Sequence, residues 1–228
     1  MNTVKRLPQT ILVLLASALV AAVLTAVAAA GHLVPGDRAI ANVAQSVPVG
    51  EALEEVADVL ARTAIETLVW IVAAFIAWRR KSAALLIAGV FVALALTTNP
   101  LLKEIVDRAR PTASDLTIRE TDAQEGFPSG HVQAATLIYG FAWCALSLMD
   151  TRWKLLASCA TAAVLLLIGF DRVYNGAHWP SDVAGGFSYG VLLLALAVIA
   201  GRAVLRLTPR ARTLRRPPDW MSGETIKA

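Results

Sequence analysis

The chain has 228 residues, of which 57% are hydrophobic and 17% charged, and its mean hydropathy is +0.60. Several apolar runs approach the roughly 20 residues that a membrane-spanning helix requires, which excludes a soluble globular protein and indicates an integral membrane protein. The pI near 9.4 does not indicate nucleic-acid binding, because the basic residues follow the positive-inside distribution of membrane proteins.

The first apolar run, from Ile11 to about Ala30, follows Lys5 and Arg6. A positive start, an apolar stretch and an end rich in small residues also describe a cleaved signal peptide. However, 20 apolar residues exceed the roughly 7–15 of a signal-peptide core. We therefore predict that this run is retained as the first membrane span.

Residues 32–62 form a polar connection with turn signals at 34–37 and 48–50. Apolar and acidic residues then recur on opposite faces at helical spacing. The apolar face is Leu53, Val56, Ala57 and Leu60, and the acidic face is Glu51, Glu54, Glu55 and Asp58. This pattern predicts a short amphipathic helix over residues 51–60, whose acidic face is unsuited to anionic lipid. The helix either caps the bundle in solvent or forms a lid over a cationic site.

Five further apolar runs complete an all-α bundle of six predicted spans, at residues 64–78, 83–98, 131–149, 155–170 and 183–200. With a cytoplasmic N-terminus, most of the 21 lysines and arginines fall on the cytoplasmic side. Residues 99–130 and 171–182 then share the extracytoplasmic face. No composition break or internal repeat marks a second domain. We therefore expect one transmembrane domain over residues 1–201 and a basic cytoplasmic tail over residues 202–228.

The segment after the third span contains Lys103 and, seven residues later, Arg110 followed by Pro111. Seven residues are nearly two helical turns, so the two cations point the same way within about 20°. A residue before proline is biased out of the helix, which lets Arg110 turn into a site. The alternative is a solvated helix with i, i+4 salt bridges, Lys103–Asp107 and Glu104–Arg108.

The fourth span is preceded by Pro128, Ser129 and Gly130 and starts at His131. Ser129 is suited to the N-cap, and a helix N-terminus offers free N–H groups and a positive dipole end to a phosphate oxygen. Gly130 allows a close approach of that backbone, and the His131 imidazole can donate a proton to a leaving group. On its own, a Ser-Gly-His sequence is also typical of a plain helix cap.

The third cluster of ionisable residues is Arg172, His178 and Asp182, between two apolar runs, where such residues indicate a functional site. Pro180 is suited to the first helical position. Asp182 can therefore orient one imidazole nitrogen of His178 and leave the other as a nucleophile. The guanidinium of Arg172 suits bidentate contact with phosphate.

A metal site is the alternative for this cluster, since His131, His178 and Asp182 form a two-histidine, one-carboxylate set. Three cations converging on the same place would repel a divalent ion. We therefore expect neither a metal nor a cofactor.

Together these motifs resemble those of the type 2 phosphatidic acid phosphatase superfamily, which also contains bacterial acid phosphatases, vanadium haloperoxidases and glucose-6-phosphatase. The family pattern is Lys, six residues, Arg-Pro; then Pro-Ser-Gly-His; then Ser-Arg, five residues, His, three residues, Asp. The matching positions are Lys103, Arg110 and Pro111; residues 128–131; and Arg172, His178 and Asp182. Asp171 departs from the pattern, because the family usually has Ser there. The resemblance covers about residues 60–200.

The resemblance implies a division of roles in phosphate-ester hydrolysis. The residues that would bind phosphate are Lys103, Arg110, Ser129, Gly130 and Arg172. His178 would attack phosphorus, Asp182 would orient it, and His131 would protonate the departing oxygen. Water would then hydrolyse the phosphohistidine. Such a reaction depends on positioning and charge stabilisation, which three fixed cations can supply.

The predicted function is a lipid phosphate phosphatase of the cell membrane with both termini cytoplasmic and an extracytoplasmic site. Its partners are the bilayer and a lipid substrate, with no nucleic acid. We rank an undecaprenyl-type polyprenyl diphosphate above phosphatidic acid or phosphatidylglycerol phosphate, on family resemblance alone. A lipid phosphotransferase is a second enzymatic alternative. A transporter or inert scaffold is an alternative of another class, although transport predicts charges at the membrane midplane rather than at span ends.

Overall fold

The computed structural model describes residues 7–49, 51–120, 124–148 and 151–207. Within these ranges all regular structure is helical, which confirms the predicted all-α class. The helices are α1 (Leu7–Ala29), α2 (Asp37–Ser46), α3 (Glu51–Leu60), α4 (Thr63–Arg79), α5 (Ala83–Ala95), α6 (Thr98–Val106), α7 (Gly130–Leu146), α8 (Thr151–Tyr174) and α9 (Pro180–Leu207).

Four stretches of the described chain are long and apolar enough to cross a membrane: Gln9–Ala29, Ala83–Val106, Lys154–Tyr174 and Pro180–Leu207. A fifth is obtained if α3 and α4, which meet at a bend of 57°, are counted as one span. Helices α4 and α7 have 17 residues each and so measure roughly 25 Å, less than the roughly 30 Å of a hydrocarbon core. By length and composition the described residues thus contain four to five candidate spans, and the predicted number of six is not confirmed.

Several helices differ from the sequence prediction in their bounds, and one was not predicted. The third span does not end near residue 98, because α5 and α6 together form a stretch that continues to Val106. The polar connection contains α2, which starts at Asp37, the last residue of the predicted turn at 34–37, and packs against α8 and α9. The last helix continues past Gly201 to Leu207, so the first residues assigned to the tail are helical. Residues 208–228 of that tail lie outside the described residues.

Helix α9 lies at the centre of the bundle and packs against α1, α5 and α7. Two glycines near its start allow a close approach to the segment before α7. A Cβ at Gly185 would lie 2.4 Å from the Phe127 ring, and one at Gly186 would lie 2.8 Å from the Ser129 carbonyl oxygen. The absence of a side chain at Gly185 and Gly186 therefore permits close packing between α9 and the segment that leads into α7. This packing brings the N-termini of α7 and α9 together.

The connections at this end of the bundle are tied to the end of α8. The Arg119 backbone N–H donates to the Asn175 carbonyl at 2.9 Å, and its guanidinium donates to the Tyr174 carbonyl at 2.6 Å while lying 4.2 Å from the Tyr174 ring centroid. From α2, the Gln45 side-chain amide donates to the same carbonyl at 2.9 Å. These contacts hold the segment after α6, together with α2, against the end of α8.

Candidate active site

The three sequence motifs meet at one end of the bundle. Helix α6 ends at Val106, and the left-handed conformation of Asp107 (φ 48°) turns the following residues away from the helix. The Arg108 carbonyl accepts a hydrogen bond from the Gly126 N–H at 2.7 Å, just before the second motif. The Asp182 carbonyl accepts one from the Ser129 N–H at 3.1 Å, which joins the second motif to the third.

The His178 imidazole is 1% exposed and lies between a cation and a carboxylate. Its Nε2 is 3.3 Å from Nη1 of Arg110, and its Nδ1 is 3.8 Å from Oδ2 of Asp182. A guanidinium can only donate hydrogen bonds, so Nε2 is the acceptor and the proton of the neutral ring is on Nδ1, facing Asp182. The 3.8 Å distance exceeds a hydrogen bond and requires a small ring movement to close. The Nε2 lone pair thus points toward the cation.

Burial lowers the pKa of His178 below its ordinary value of 6.5, and the charges of Arg110 and Lys103 lower it further, whereas Asp182 opposes them. Burial has the largest influence, because an ion is poorly solvated in the protein interior. The imidazole is therefore neutral at pH 7, as a nucleophile must be.

This environment predicts that the acid limb of kcat/KM lies below pH 6.5. Protonation of Nε2 removes the lone pair, and the lowered pKa of His178 delays that protonation to more acidic pH. The measurement is a pH–rate profile with a lipid monophosphate and a lipid diphosphate, whose own ionisations differ. We expect the acid limb to have the same midpoint pH with both substrates. A midpoint at or above pH 7 would contradict a lowered pKa of His178.

The Asp182 carboxylate is fully buried, and both of its oxygens are bound. Oδ2 accepts the Trp179 N–H at 2.9 Å, and Oδ1 accepts Nη1 of Arg108 at 2.6 Å. The sequence alternative of a solvated helix with a Glu104–Arg108 salt bridge is wrong, because α6 ends before Arg108 and the guanidinium turns inward, where it is 4% exposed. Lys103, on the last turn of α6, is also buried, at 3% exposed.

The second motif presents a hydroxyl and a helix start. Ser129 occupies the N-cap position of α7, but its side chain makes no capping hydrogen bond, contrary to its expected capping role. Its Oγ is buried without a hydrogen-bond partner among the described residues. Gly130 begins the helix, and a Cβ there would lie 2.8 Å from Oδ1 of Asn99. His131 follows in the first turn and is half-buried.

The Arg172 guanidinium, 2% exposed, is bound to carboxylates. It donates to Oδ2 of Asp171 from Nε at 2.9 Å, and its Nη1 lies 2.9 Å from Glu120. These contacts border a cavity of about 400 Å³ whose wall includes Glu54 and Asp58. Glu54 and Asp58 of α3 therefore lie beside the same cavity as Arg172. This position is the one that the lid hypothesis requires. That α3 moves as a lid stays a prediction. A phosphate bound to Arg172 must compete with Asp171 and Glu120.

We expect Asp171→Ser and Glu120→Gln each to lower KM about tenfold. Each change removes one carboxylate from Arg172, and a hydrogen bond to a charged group contributes about 1.5 kcal/mol, close to one decade in binding. The control is Asp58→Asn, for which we expect an unchanged KM. Asp58 lines the same cavity, but it pairs with Arg62 at 2.9 Å rather than with Arg172. An unchanged or raised KM in both variants would show that Arg172 does not bind the substrate phosphate.

Three residues of this region were not identified from the sequence: Arg108, Asp37 and Glu120. Arg108 and Asp182 are 74 residues apart, and Arg172 and Glu120 are 52 apart. No spacing rule connects such positions. The only available signal was that ionisable residues flank the motifs next to apolar spans.

A family model described as the PAP2 superfamily matches residues 84–205, which is more than half of the chain. The chain belongs to the PAP2 superfamily. This confirms the resemblance inferred from the three motifs, since the matched region contains all of them. The buried His178 lies within the region that matches this superfamily.

Named PAP2-like relatives share a third of their aligned residues with this chain. Phosphatidylglycerophosphatase B of Bacillus subtilis is 34% identical over 101 residues, which is 43% of this chain and 48% of that protein. Decaprenylphosphoryl-5-phosphoribose phosphatase of Mycobacterium tuberculosis is 32% identical over 117 residues, 50% of this chain and 58% of that protein. The chain thus spans about half the length of the curated relatives it matches.

The fold is also similar to a solved PAP2 structure. The crystal structure of a transmembrane PAP2 type phosphatidylglycerolphosphate phosphatase from Bacillus subtilis matches with a TM-score of 0.65 and 27% sequence identity. The match covers 86% of this chain and 98% of that chain. The helical arrangement described above is therefore that of a transmembrane PAP2 protein.

Proposed function

We propose that this protein is a metal-independent lipid phosphate phosphatase that works through a phosphohistidine on His178. The observation that carries the proposal is the position of the His178 ring, with Nε2 3.3 Å from the Arg110 guanidinium and Nδ1 facing Asp182. An imidazole lone pair directed at a cation is placed to meet a bound phosphate. The names of the PAP2 relatives, which are lipid phosphatases, support the same reaction.

The proposed reaction has two steps. In the first, Nε2 of His178 forms a bond to phosphorus while the bond to the lipid oxygen breaks, and His131 gives that oxygen its proton. In the second, water attacks phosphorus, passes a proton to His131, and the phosphorus–nitrogen bond breaks to release inorganic phosphate. Negative charge on the phosphoryl oxygens is stabilised by Lys103, Arg110 and Arg172, with Ser129 and the Gly130 N–H.

The proposed setting is a cell membrane, with six spans, cytoplasmic termini and an extracytoplasmic site. The six spans are α1, α4, the pair α5–α6, α7, α8 and α9. Large apolar side chains remain exposed along α1 and α8, including Leu12 and Leu155, and lipid would cover such surfaces. The site lies at one end of the bundle, where a lipid head group can reach it while the tail stays in the membrane. The positive-inside distribution supports the orientation.

For the substrate we propose a polyprenyl diphosphate, with phosphatidylglycerol phosphate as the second candidate. The similarity to a decaprenyl-linked phosphatase supports the polyprenyl tail of the first candidate, and the similarity to a putative undecaprenyl-diphosphatase supports its diphosphate group. The second is supported by the fold similarity to a phosphatidylglycerolphosphate phosphatase, which covers 86% of this chain.

The test is phosphate release by purified protein in detergent with a chelator present. The panel contains a polyprenyl diphosphate, phosphatidylglycerol phosphate and phosphatidic acid, and the proteins are wild type, His178→Ala and His32→Ala. Release by wild type and His32→Ala, but not by His178→Ala, is expected. No release by folded wild type from any of these lipids would overturn the proposal, and phosphorylation of an added acceptor lipid would then indicate a phosphotransferase.

A further inference from the structure

A buried cluster of charged side chains lies behind the proposed nucleophile. Arg108 donates from Nη1 to Oδ1 of Asp182 at 2.6 Å and to Oγ of Ser181 at 2.8 Å. Its Nη2 lies 3.4 Å from Oδ2 of Asp37 and 3.3 Å from the His32 carbonyl oxygen. Asp37, Arg108 and Asp182 are each at most 4% exposed. One cation is thus held between two carboxylates in the protein interior.

Arg108 and the Trp179 N–H together fix which oxygen of Asp182 faces the imidazole. Because Oδ1 is occupied by the guanidinium at 2.6 Å, Oδ2 is the oxygen directed at Nδ1 of His178. Without Arg108, the Trp179 N–H would be the one hydrogen bond left of these two, and a single bond constrains rotation about the Cβ–Cγ bond less than two bonds on opposite oxygens do. A shift of about 1 Å in a catalytic geometry can cost roughly a hundredfold in rate.

Asp37 holds Arg108 and also sets the charge of the cluster. Its carboxylate is fixed at the start of α9, where Oδ1 accepts the Ser181 N–H at 2.9 Å and Oδ2 accepts the Ser181 hydroxyl at 2.6 Å. An Arg108–Asp182 pair alone is neutral and offers little stabilisation to a positively charged imidazole. With Asp37 included, the cluster carries one net negative charge behind His178.

We propose that Arg108 and Asp37 are positioning residues for the proposed reaction: they orient Asp182 and supply the negative charge that stabilises His178 as its Nε2 bonds to phosphorus. Arg108 is one of the six unspecified residues between Lys103 and Arg110 in the first motif, and Asp37 lies outside all three motifs. The inference rests on the proposed function, because it assumes that His178 is the nucleophile. It assigns a role to the connection between α1 and α2, which brings Asp37 to the site.

The primary variants are Arg108→Lys and Asp37→Asn. Lysine keeps the charge but lacks the fork that contacts Asp182, Ser181 and Asp37 at once, and it avoids leaving two buried carboxylates without a cation. We expect each variant to lower kcat roughly a hundredfold while KM stays within about twofold. The matched control is Arg38→Lys, a neighbouring arginine that is 67% exposed and paired with Asp115, which should retain wild-type kinetics.

A double-mutant cycle separates positioning from a structural role. If Arg108 acts through Asp182, then adding Arg108→Lys to Asp182→Asn should change kcat less than about threefold. Guanidinium ion offers a second readout with Arg108→Ala, because a cavity of about 390 Å³ adjoins Arg108. Recovery of kcat with millimolar guanidinium, at unchanged melting temperature, is the expected result.

The rate at which the phosphohistidine forms distinguishes a failure of the proposed function from a failure of the positioning role alone. If wild type forms no phosphohistidine, the proposed function fails. If wild type forms it and Arg108→Lys forms it equally fast, the positioning role alone is overturned. A full additive loss in the double variant, or a loss that appears only in KM, would also overturn it.

Discussion

His178→Ala is expected to lower kcat by about 10⁴-fold or more, since removal of a nucleophile in a covalent mechanism has effects of this order. The structure gives the reason: the ring lies between Arg110 and Asp182 with Nε2 toward the cation. Lys103, which is buried, is the other cation that lowers the pKa of His178. Phosphate release from the preferred lipid, measured at saturating substrate, is the test.

Two comparisons make this result specific. His32→Ala removes another histidine, at the end of α1, and should leave kcat unchanged. Substrate binding to His178→Ala should persist, because the phosphate-binding cations are intact. If His178→Ala released phosphate at the wild-type rate, His178 would not be the nucleophile.

Arg110→Lys is expected to lower kcat/KM by about 10²- to 10³-fold, the range found when one charge-stabilising donor is removed from an active site. The Arg110 guanidinium is fixed by two backbone carbonyls, Gln124 at 2.6 Å and Ala177 at 2.7 Å, and these contacts hold Nη1 against Nε2 of His178. A lysine ammonium lacks the planar fork needed to make all these contacts and also bind phosphate. Steady-state kinetics on the same lipid provides the measurement.

Arg119→Lys is the matched control for Arg110→Lys. Arg119 also donates to a backbone carbonyl at this end of the bundle, that of Tyr174, but it has no place in the proposed reaction. Its variant should change kcat/KM by no more than about twofold, as surface substitutions usually do. Near-normal activity of Arg110→Lys would mean that the phosphate lies away from Nε2.

Local sequence patterns predicted the elements of the site that depend on nearby residues. Pro180 does begin α9, and Gly130 follows Ser129 at the start of α7, as the capping and proline rules indicate. The separation of four residues between His178 and Asp182 predicted that the two side chains lie close together, and Nδ1 is 3.8 Å from Oδ2. These features arise within single helix starts, so a local pattern was sufficient.

Contacts between distant segments were not predictable in this way. The i, i+4 rule assigned Arg108 to Glu104, but a left-handed residue at 107 ends α6 and sends Arg108 to Asp182. Arg172 was expected to bind phosphate, whereas Glu120, 52 residues away, already pairs with it. Helix α2 was missed because its packing against α8 and α9 involves residues far along the chain. In each case a tertiary partner overrode the local pattern.

The central claim is most directly tested by trapping the covalent intermediate. Wild-type protein is mixed with lipid labelled with ³²P at the transferred phosphate, quenched with base within milliseconds in the presence of chelator, and analysed by peptide mapping. The account predicts an acid-labile, base-stable label on His178 that appears before steady-state release and is absent from His178→Ala. Rapid release of phosphate with no labelled enzyme, or label on another residue, would contradict it.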